Sequence, residues 1–215
     1  MDEVFDHTTV LEDGTVKLVQ PNARPGDIRY VDANKDGQID LNDRQWSGSP
    51  LPKFEGGLNF SAQMVGFDFT MFWTGIYGNK IFNVQRTAIE GMGGPDNMPA
   101  YLNPWTWDNP SGTDPRPVKG TSDNARAQSD RWLEDGSFIR LRNLQVGYTF
   151  SQNALGKTRI LKNSRLYLSG QNLITLTKYL GYDPELSGND VFGQGNDWGG
   201  YPPVRTYMLG LQLSF

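Results

Sequence analysis

The chain has 215 residues, with 20 basic and 24 acidic side chains, 25 glycines, 13 prolines and no cysteine. The formal charge of −4, without a cluster of Lys and Arg, argues against a nucleic-acid-binding protein, and the lack of cysteine excludes disulfide scaffolds and thiolate metal sites. Aromatic residues reach 12% among many turn-forming residues, which favours an all-β protein with elaborate loops.

Residues 1–53 are polar and rich in Asp, Asn, Gly and Pro, so we predict a loop region. Within it, residues 32–43 read DANKDGQIDLND and have the spacing of an EF-like calcium loop, with Gly37 at the sharp turn. The predicted calcium ligands are Asp32, Asn34, Asp36, Gln38 through its backbone carbonyl, Asp40 and Asp43. Asp43 stands where such loops carry a longer Glu, which weakens the expected affinity. The alternative is a solvated turn without a metal.

Five segments alternate apolar and polar residues, which predicts five long β-strands. The predicted strands cover residues 54–64, 67–77, 138–150, 163–177 and 205–215. A tight turn at residues 65–66 joins the first two into a hairpin. In the third strand, Ile139 and Leu141 are out of phase with the set that begins at Leu144, which predicts a bulge near Asn143. A short helix within KIFNVQRTAIEGM is also predicted.

The connections between these strands alternate between short and long. Residues 65–66 and 151–162 are short, whereas residues 79–136, residues 179–203 and the approach over 1–53 are long. Outer-membrane barrels combine short periplasmic turns with long outer loops, whereas compact soluble domains rarely carry loops this long. We therefore predict an all-β fold: an antiparallel transmembrane β-barrel segment with long extracellular loops, residues 1–53 forming a loop region and 54–215 the barrel strands.

The alternation assigns each strand residue to one of two faces. The face predicted to contact lipid carries Leu58, Phe60, Met64, Phe67, Phe69, Met71, Leu144, Val146, Leu166, Leu168, Leu209, Leu211 and Leu213. The face predicted to line the lumen carries Asn59, Ser61, Gln63, Thr70, Gln145 and Gln212. Aromatic residues lie at both ends of the strands, as interfacial girdles require: Phe67, Phe69, Tyr148, Phe150 and Phe215 near the short turns, and Trp73, Tyr77 and Tyr207 near the long loops.

Four stretches, in order along the chain, resemble the late part of SusC/RagA-type TonB-dependent outer-membrane transporters. They are the run from PGDIRYVDANKDG to IYGNKIFN, then DRWLEDGSFIRLRNLQVGYTF, RLYLSGQNLITLTKYLGYDPE and YPPVRTYMLGLQLSF. The resemblance extends from about Pro25 to Phe215 and implies the C-terminal strands of a larger barrel of about 22 strands. Five strands cannot close such a barrel, so we expect a part of a transporter.

The resemblance also implies a location and partners. It places the chain in the outer membrane of a Gram-negative bacterium, where such transporters import glycans, oligosaccharides or peptides together with a SusD-like lipoprotein. The implied partners are the rest of the barrel, a plug domain, the TonB complex through a missing N-terminal part, and outer-membrane lipid. The resemblance further implies that the last strand is an assembly signal carried by Tyr207, Leu209, Leu211, Leu213 and Phe215.

Two further features bear on function. Trp105, Trp107, Trp132 and Trp198 lie in predicted loops, where they could contact sugar rings or a capping lipoprotein, or pack the loops against one another. Enzymatic signals are poor, because His7 is the single histidine and the glycine-rich GQGNDWGG lacks the residues of a phosphate loop. The alternatives to a transporter part are a soluble, calcium-stabilised β-sandwich that binds glycans, and an assembly fragment without transport of its own.

Overall fold

A computed structural model describes residues 8–10, 16–20, 23–91, 97–119, 129–150, 163–185 and 193–214. Its elements are β1 (Thr8–Val10), β2 (Val16–Leu18), β3 (Phe54–Met64), β4 (Phe67–Tyr77), β5 (Lys80–Asn83), α1 (Val84–Glu90), β6 (Leu133–Asp135), β7 (Phe138–Phe150), β8 (Asn163–Thr177), β9 (Asn196–Asp197) and β10 (Thr206–Ser214). Short 3-10 helices span Leu41–Asp43 and Asp130–Trp132. Among the described residues, no helix has the length and apolar character needed to cross a membrane.

All five predicted long strands are confirmed, and they form one antiparallel sheet in the order β10-β8-β7-β4-β3. The predicted helix is also present as α1. The predicted turn at 151–162 and the terminal Phe215 lie outside the described residues. Two smaller sheets, β1-β2 and β6-β5-β9, were not predicted, because strands of two to four residues are too short to show alternation.

The β3–β4 hairpin closes through a two-residue turn. Val65 and Gly66 have φ values of 49° and 85°, and Met64 pairs directly with Phe67. Two successive residues with positive φ are the mark of a type I′ turn, whose twist matches that of the flanking strands. A β-branched residue rarely adopts this conformation, so the valine is accepted at some cost in free energy.

The predicted bulge in β7 is confirmed at Arg142. Phe72 of β4 pairs with Asn143, whereas the next residue, Trp73, pairs with Leu141, so Arg142 is the extra residue. The extra residue reverses the alternation, and Leu141 therefore joins the face of Trp73. This reversal explains why the first part of β7 is out of phase in the sequence.

The chain divides into two compact units. The first contains Met1–Gly48 and Asn83–Leu133, and the second contains Ser49–Phe82 and Glu134–Phe215. In this grouping, residues 83–133 join the N-terminal segment. The physical reason is long-range pairing within the first unit: Arg116 Nε lies 2.6 Å from Asp27 Oδ1. The division into a loop region over 1–53 and barrel strands over 54–215 stays a prediction. Within the described residues, the buried apolar side chains are Ile81, Trp132, Phe138, Leu141 and Tyr179.

Candidate functional site

One face of the five-stranded sheet is continuous, apolar and exposed. A single row crosses all five strands, because Met64 pairs with Phe67, Phe67 with Tyr148, Tyr148 with Leu166 and Leu166 with Leu211. The next row contains Ala62, Phe69, Val146, Leu168 and Leu209. Met64 is 76% exposed and Leu209 is 74% exposed. The predicted sharing of one face by these residues is confirmed.

Aromatic side chains cluster at the short-turn end of this face. The ring centroids of Phe67 and Tyr148 are 4.6 Å apart, and those of Tyr148 and Phe150 are 4.9 Å apart in an edge-to-face arrangement. At the opposite ends of their strands, Tyr77 and Tyr207 are exposed. Aromatic residues at both strand ends are the arrangement found at the two interfaces of a membrane barrel.

The opposite face is mainly polar, with a few apolar residues such as Phe72 and Met208. Ser61 pairs with Thr70, and Thr70 pairs with Gln145, so predicted lumen residues from three strands lie in one row. The other predicted lumen residues, Asn59, Gln63 and Gln212, share this face by their strand register.

The polar face also holds an ion pair that the sequence analysis missed. Arg165 Nε lies 2.9 Å from Asp68 Oδ1, and Arg165 Nη2 also bonds Asp68 Oδ2. Gly147 lies between them, since a Cβ atom there would sit 2.5 Å from Asp68 Oδ1. The two partners are 97 residues apart, so no local sequence signal could have found the pair.

A second polar cluster lies towards the long-loop ends of β7 and β8. Arg140 is fully buried and pairs in register with Thr74 and Thr175, which places it on the polar face. Its guanidinium contacts Asp183 Oδ2 and Glu185 Oε2, each at 2.5 Å, and donates to Thr175 Oγ1 at 3.0 Å. The buried guanidinium of Arg140 therefore holds residues 183–185 against the polar face through these two ion pairs.

The predicted calcium loop folds around hydrogen bonds from its own backbone. Asp32 accepts hydrogen bonds from the N–H groups of Lys35 at 2.6 Å and Gly37 at 2.8 Å. Gly37 has a φ of 75°, which the sharp turn requires. Asp36 N–H donates to Asn34 Oδ1 at 3.0 Å, while a carboxylate oxygen of Asp36 accepts from the N–H of Gln38 at 2.8 Å.

The loop ends at a capped 3-10 helix. Asp40 accepts from the N–H of Asn42 at 2.7 Å, and Asp43 accepts from the N–H groups of Asp40 at 2.7 Å and Ala33 at 2.8 Å. These backbone hydrogen bonds, that from Asp40 above all, hold the pKa of Asp43 below its usual value although desolvation opposes them. No three acidic or histidine side chains form a metal-binding group in the described part of the chain. Calcium binding stays a prediction.

The four loop tryptophans have different surroundings. Trp107 and Trp198 are 81% and 75% exposed, which leaves them accessible to a partner. Trp105 packs edge to face against Trp107, with ring centroids 5.0 Å apart. Trp132 is completely buried, beneath the guanidinium of Arg131 at 5.3 Å from its ring centroid. Trp132 is therefore a packing residue and not a surface for direct contact.

Near Trp132, a buried carboxylate joins several parts of the first unit. Glu90 accepts hydrogen bonds from Arg86 Nε at 3.0 Å and from Tyr101 Oη at 2.8 Å. Desolvation alone would raise the pKa of Glu90, but the hydrogen bonds from Arg86 and Tyr101 and the charges of Arg86 and Arg131 outweigh it, so the pKa is lowered. Glu90 is thus held as a carboxylate, and the same contact raises the pKa of Tyr101.

Comparisons with known proteins agree with this geometry. No family model matches the chain. The chain is 35% identical over 209 residues to TonB-dependent receptor P3 of Formosa agariphila, and 31% identical over 204 residues to TonB-dependent receptor SusC of Bacteroides thetaiotaomicron. The solved RagAB peptide importer in its closed-closed state matches 96% of the chain with a TM-score of 0.69 at 26% identity. The chain belongs to the SusC/RagA-type TonB-dependent receptors.

The match covers nearly all of this chain but a small part of each relative. The alignments include 94% and 93% of the chain but only 20% and 19% of receptor P3 and SusC. The solved importer in its open-open state gives the same TM-score of 0.69 at 27% identity, over 97% of this chain and 22% of that chain. The chain therefore spans about a fifth of the length of the relatives that it matches.

In this SusC/RagA-type segment, β10 carries the predicted assembly signal. Tyr207, Leu209, Leu211 and Leu213 share the apolar face, and all four are exposed. Phe215 lies outside the described residues. The recognition of these residues by assembly machinery stays a prediction.

Proposed function

We propose that this chain supplies five neighbouring strands to the wall of a TonB-dependent transporter in the outer membrane of a Gram-negative bacterium. The observation that carries the proposal is the exposed apolar face that crosses all five strands, opposite a polar face that contains ion pairs. In a membrane barrel, the apolar face contacts lipid and the polar face lines a water-filled lumen. The two edge strands, β3 and β10, then pair with other strands of the complete barrel.

The complete transporter imports glycans, oligosaccharides or peptides, and this chain performs no catalytic step. The support comes from relatives that are receptors and transporters: one is named SusC and another is a solved peptide importer. The proposed partners are a plug domain, the TonB complex and a SusD-like lipoprotein. The exposed Trp107 and Trp198 are candidates for contact with the lipoprotein or the substrate.

The soluble β-sandwich is less consistent with the sheet. A sandwich needs a second large sheet to cover the apolar face. In the described ranges, the other two sheets contain two and three short strands, and Leu211 remains 61% exposed. An uncovered apolar face of this size promotes aggregation in water, whereas it is stable in contact with lipid.

Single cysteines test the proposed placement, because the chain has none of its own. Leu211 and Gln212 are neighbours on β10 with opposite faces. In the intact receptor inserted in outer membranes, a membrane-impermeant maleimide should modify Gln212→Cys and leave Leu211→Cys unmodified. After denaturation in detergent, both positions should react, which controls for the presence of the thiol. Equal modification of the two positions in intact membranes would contradict the proposed lipid face.

A further inference from the structure

A groove of about 330 Å³ lies on the polar face of the second unit, near the long-loop ends of β3 and β4. Its walls and floor include Glu55, Gly57, Phe72, Ile76, Arg142 and Glu185. Glu55 pairs in register with Ile76, and Gly57 pairs with Thr74, so these positions share the polar face with Arg140. The groove therefore opens to the side that we assign to the lumen.

The basic wall of the groove is held in place by the buried Arg140. Glu185 accepts hydrogen bonds from both Arg140 and Arg142, so the two guanidinium groups are bridged by one carboxylate. Arg142 Nε also donates to Thr74 Oγ1 at 3.0 Å. Arg142 Nη1 has no hydrogen-bond partner among the described residues, and the side chain remains 30% exposed. One edge of a positioned guanidinium is thus available to a ligand.

The acidic wall is Glu55, which is exposed and forms no hydrogen bond or ion pair with the described residues. Between the two walls lies an apolar floor of Phe72, 38% exposed, and Ile76. Gly57 keeps this floor open, because a Cβ atom there would lie 3.1 Å from the Phe72 ring. The groove therefore offers a carboxylate, an apolar surface and a guanidinium edge.

We propose that this groove binds a zwitterionic oligopeptide. The ligand places an apolar side chain on Phe72, a carboxylate or backbone carbonyl on Arg142 Nη1, and an ammonium group on Glu55. A guanidinium recognises a carboxylate through charge-assisted hydrogen bonds, whereas a neutral glycan offers neither an ammonium group nor a carboxylate. The inference rests on the proposed transport function and selects a peptide over a neutral glycan as the ligand of this groove.

Calorimetric titration of the purified intact receptor with the tripeptide alanyl-leucyl-alanine tests the proposal. Glu55→Gln should raise the Kd for this peptide about tenfold, through loss of one charge-assisted contact. Phe72→Ala should raise it by a similar factor. Asp108→Asn is the matched control, because it removes one exposed negative charge outside the groove and should leave the Kd unchanged. The same peptide with blocked termini should bind the wild type more weakly and be insensitive to Glu55→Gln.

Maltohexaose serves as a neutral glycan for comparison. A receptor that binds maltohexaose but not the peptide, or that binds the peptide with the same Kd in Glu55→Gln as in the wild type, overturns the proposal. Neither result affects the barrel assignment, which depends on the cysteine modification pattern of β10. A normal pattern together with an unchanged Kd therefore rejects the peptide groove while leaving the transporter function in place.

Discussion

The five-stranded sheet exposes its large apolar side chains, whereas the first compact unit buries charged ones. Leu209 on the sheet is 74% exposed, and its strand is held by the backbone ladder with β8. In the first unit, Asp27 and Glu90 are buried, and each is paired with an arginine. The sheet is therefore suited to lipid and the first unit to water. We expect the surrounding lipid to determine the stability of the sheet, and pH and ions to determine the stability of the first unit.

The largest expected loss of stability is at Arg140, which is a buried charge within the sheet and so departs from this contrast. Arg140→Met leaves Asp183 buried without its cation. Removing one partner of a buried ion pair costs about 3–5 kcal/mol. Urea unfolding of the intact receptor in detergent should show this loss. Arg205→Met is the control, because Arg205 is exposed, and it should change the free energy of unfolding by less than about 0.5 kcal/mol. Equal losses would mean that the Arg140 cluster does not stabilise the sheet.

The next effect separates the two faces of the sheet. Leu209→Arg places a charge on the proposed lipid face and should destabilise the inserted barrel by about 2–4 kcal/mol. Met208→Arg is the matched control, because Met208 adjoins it on β10, is also apolar and lies on the polar face opposite Ser169. Refolding into lipid vesicles measures both. A similar cost at the two positions would contradict the assignment of the faces.

A smaller effect is expected at the glycine beneath the Asp68–Arg165 ion pair. Gly147→Ala places a Cβ atom 2.5 Å from Asp68 Oδ1, so the pair must shift, and overpacking of this kind costs about 1–3 kcal/mol. Gly75→Ala is the control, because its Cβ atom would meet its nearest neighbour at an ordinary 3.4 Å. Unfolding midpoints in urea compare the two. A loss at Gly75 as large as that at Gly147 would mean that strand flexibility, and not the ion pair, sets the cost.

Sequence patterns predicted the sheet well because its order is local and periodic. A strand such as β4 can be predicted because apolar and polar residues alternate over its eleven residues. The bulge at Arg142 can be predicted because the order of apolar and polar residues along β7 reverses there. The polar clusters could not be predicted in this way. Arg140 and Asp183 are 43 residues apart, and many other Arg and Asp residues would satisfy the same composition. Their pairing depends on the three-dimensional path of the chain, which spacing alone does not contain.

The candidate sites also differ in whether they depend on local spacing or on contacts between distant residues. Residues 32–43 are a candidate site from the sequence alone, because calcium ligands follow a fixed local spacing. The peptide groove was missed, since it brings together Glu55, Arg142 and Glu185 from three separate parts of the chain. The tryptophans were found by residue type, but type alone could not distinguish the buried Trp132 from the exposed Trp198.

In the first unit, acid should weaken the cluster around Glu90. The pKa of Glu90 is lower in the folded protein than its ordinary value of 4.5, so its contribution is complete above that value and is lost as the pH falls through the folded pKa. At pH 7, Glu90→Gln should cost about 1–2 kcal/mol, because Arg86 loses its anionic partner. Thermal unfolding at several pH values should show the difference from wild type shrinking as the pH falls below 4.5. A difference that grows in acid would contradict the lowered pKa.

The smallest expected effect is that of calcium on residues 32–43. Each carboxylate oxygen that accepts one backbone N–H keeps a lone pair for a cation, so Asp32 and Asp36 can bind calcium without giving up their hydrogen bonds. Extracellular calcium modules have Kd values of about 10⁻⁴–10⁻³ M, so 1 mM calcium should stabilise the fold by roughly 0.4–1.4 kcal/mol.

Thermal unfolding in 1 mM calcium and in excess chelator measures this stabilisation. Asp36→Ala should abolish it, whereas Asp108→Asn, which removes an exposed charge elsewhere, should retain it. Magnesium at the same concentration should have a weaker effect, because it requires a tighter octahedral shell and loses its water reluctantly. Equal stabilisation by both ions, or an unchanged calcium effect in Asp36→Ala, would identify general screening of the acidic loop. The predicted ligand spacing would then describe a solvated turn.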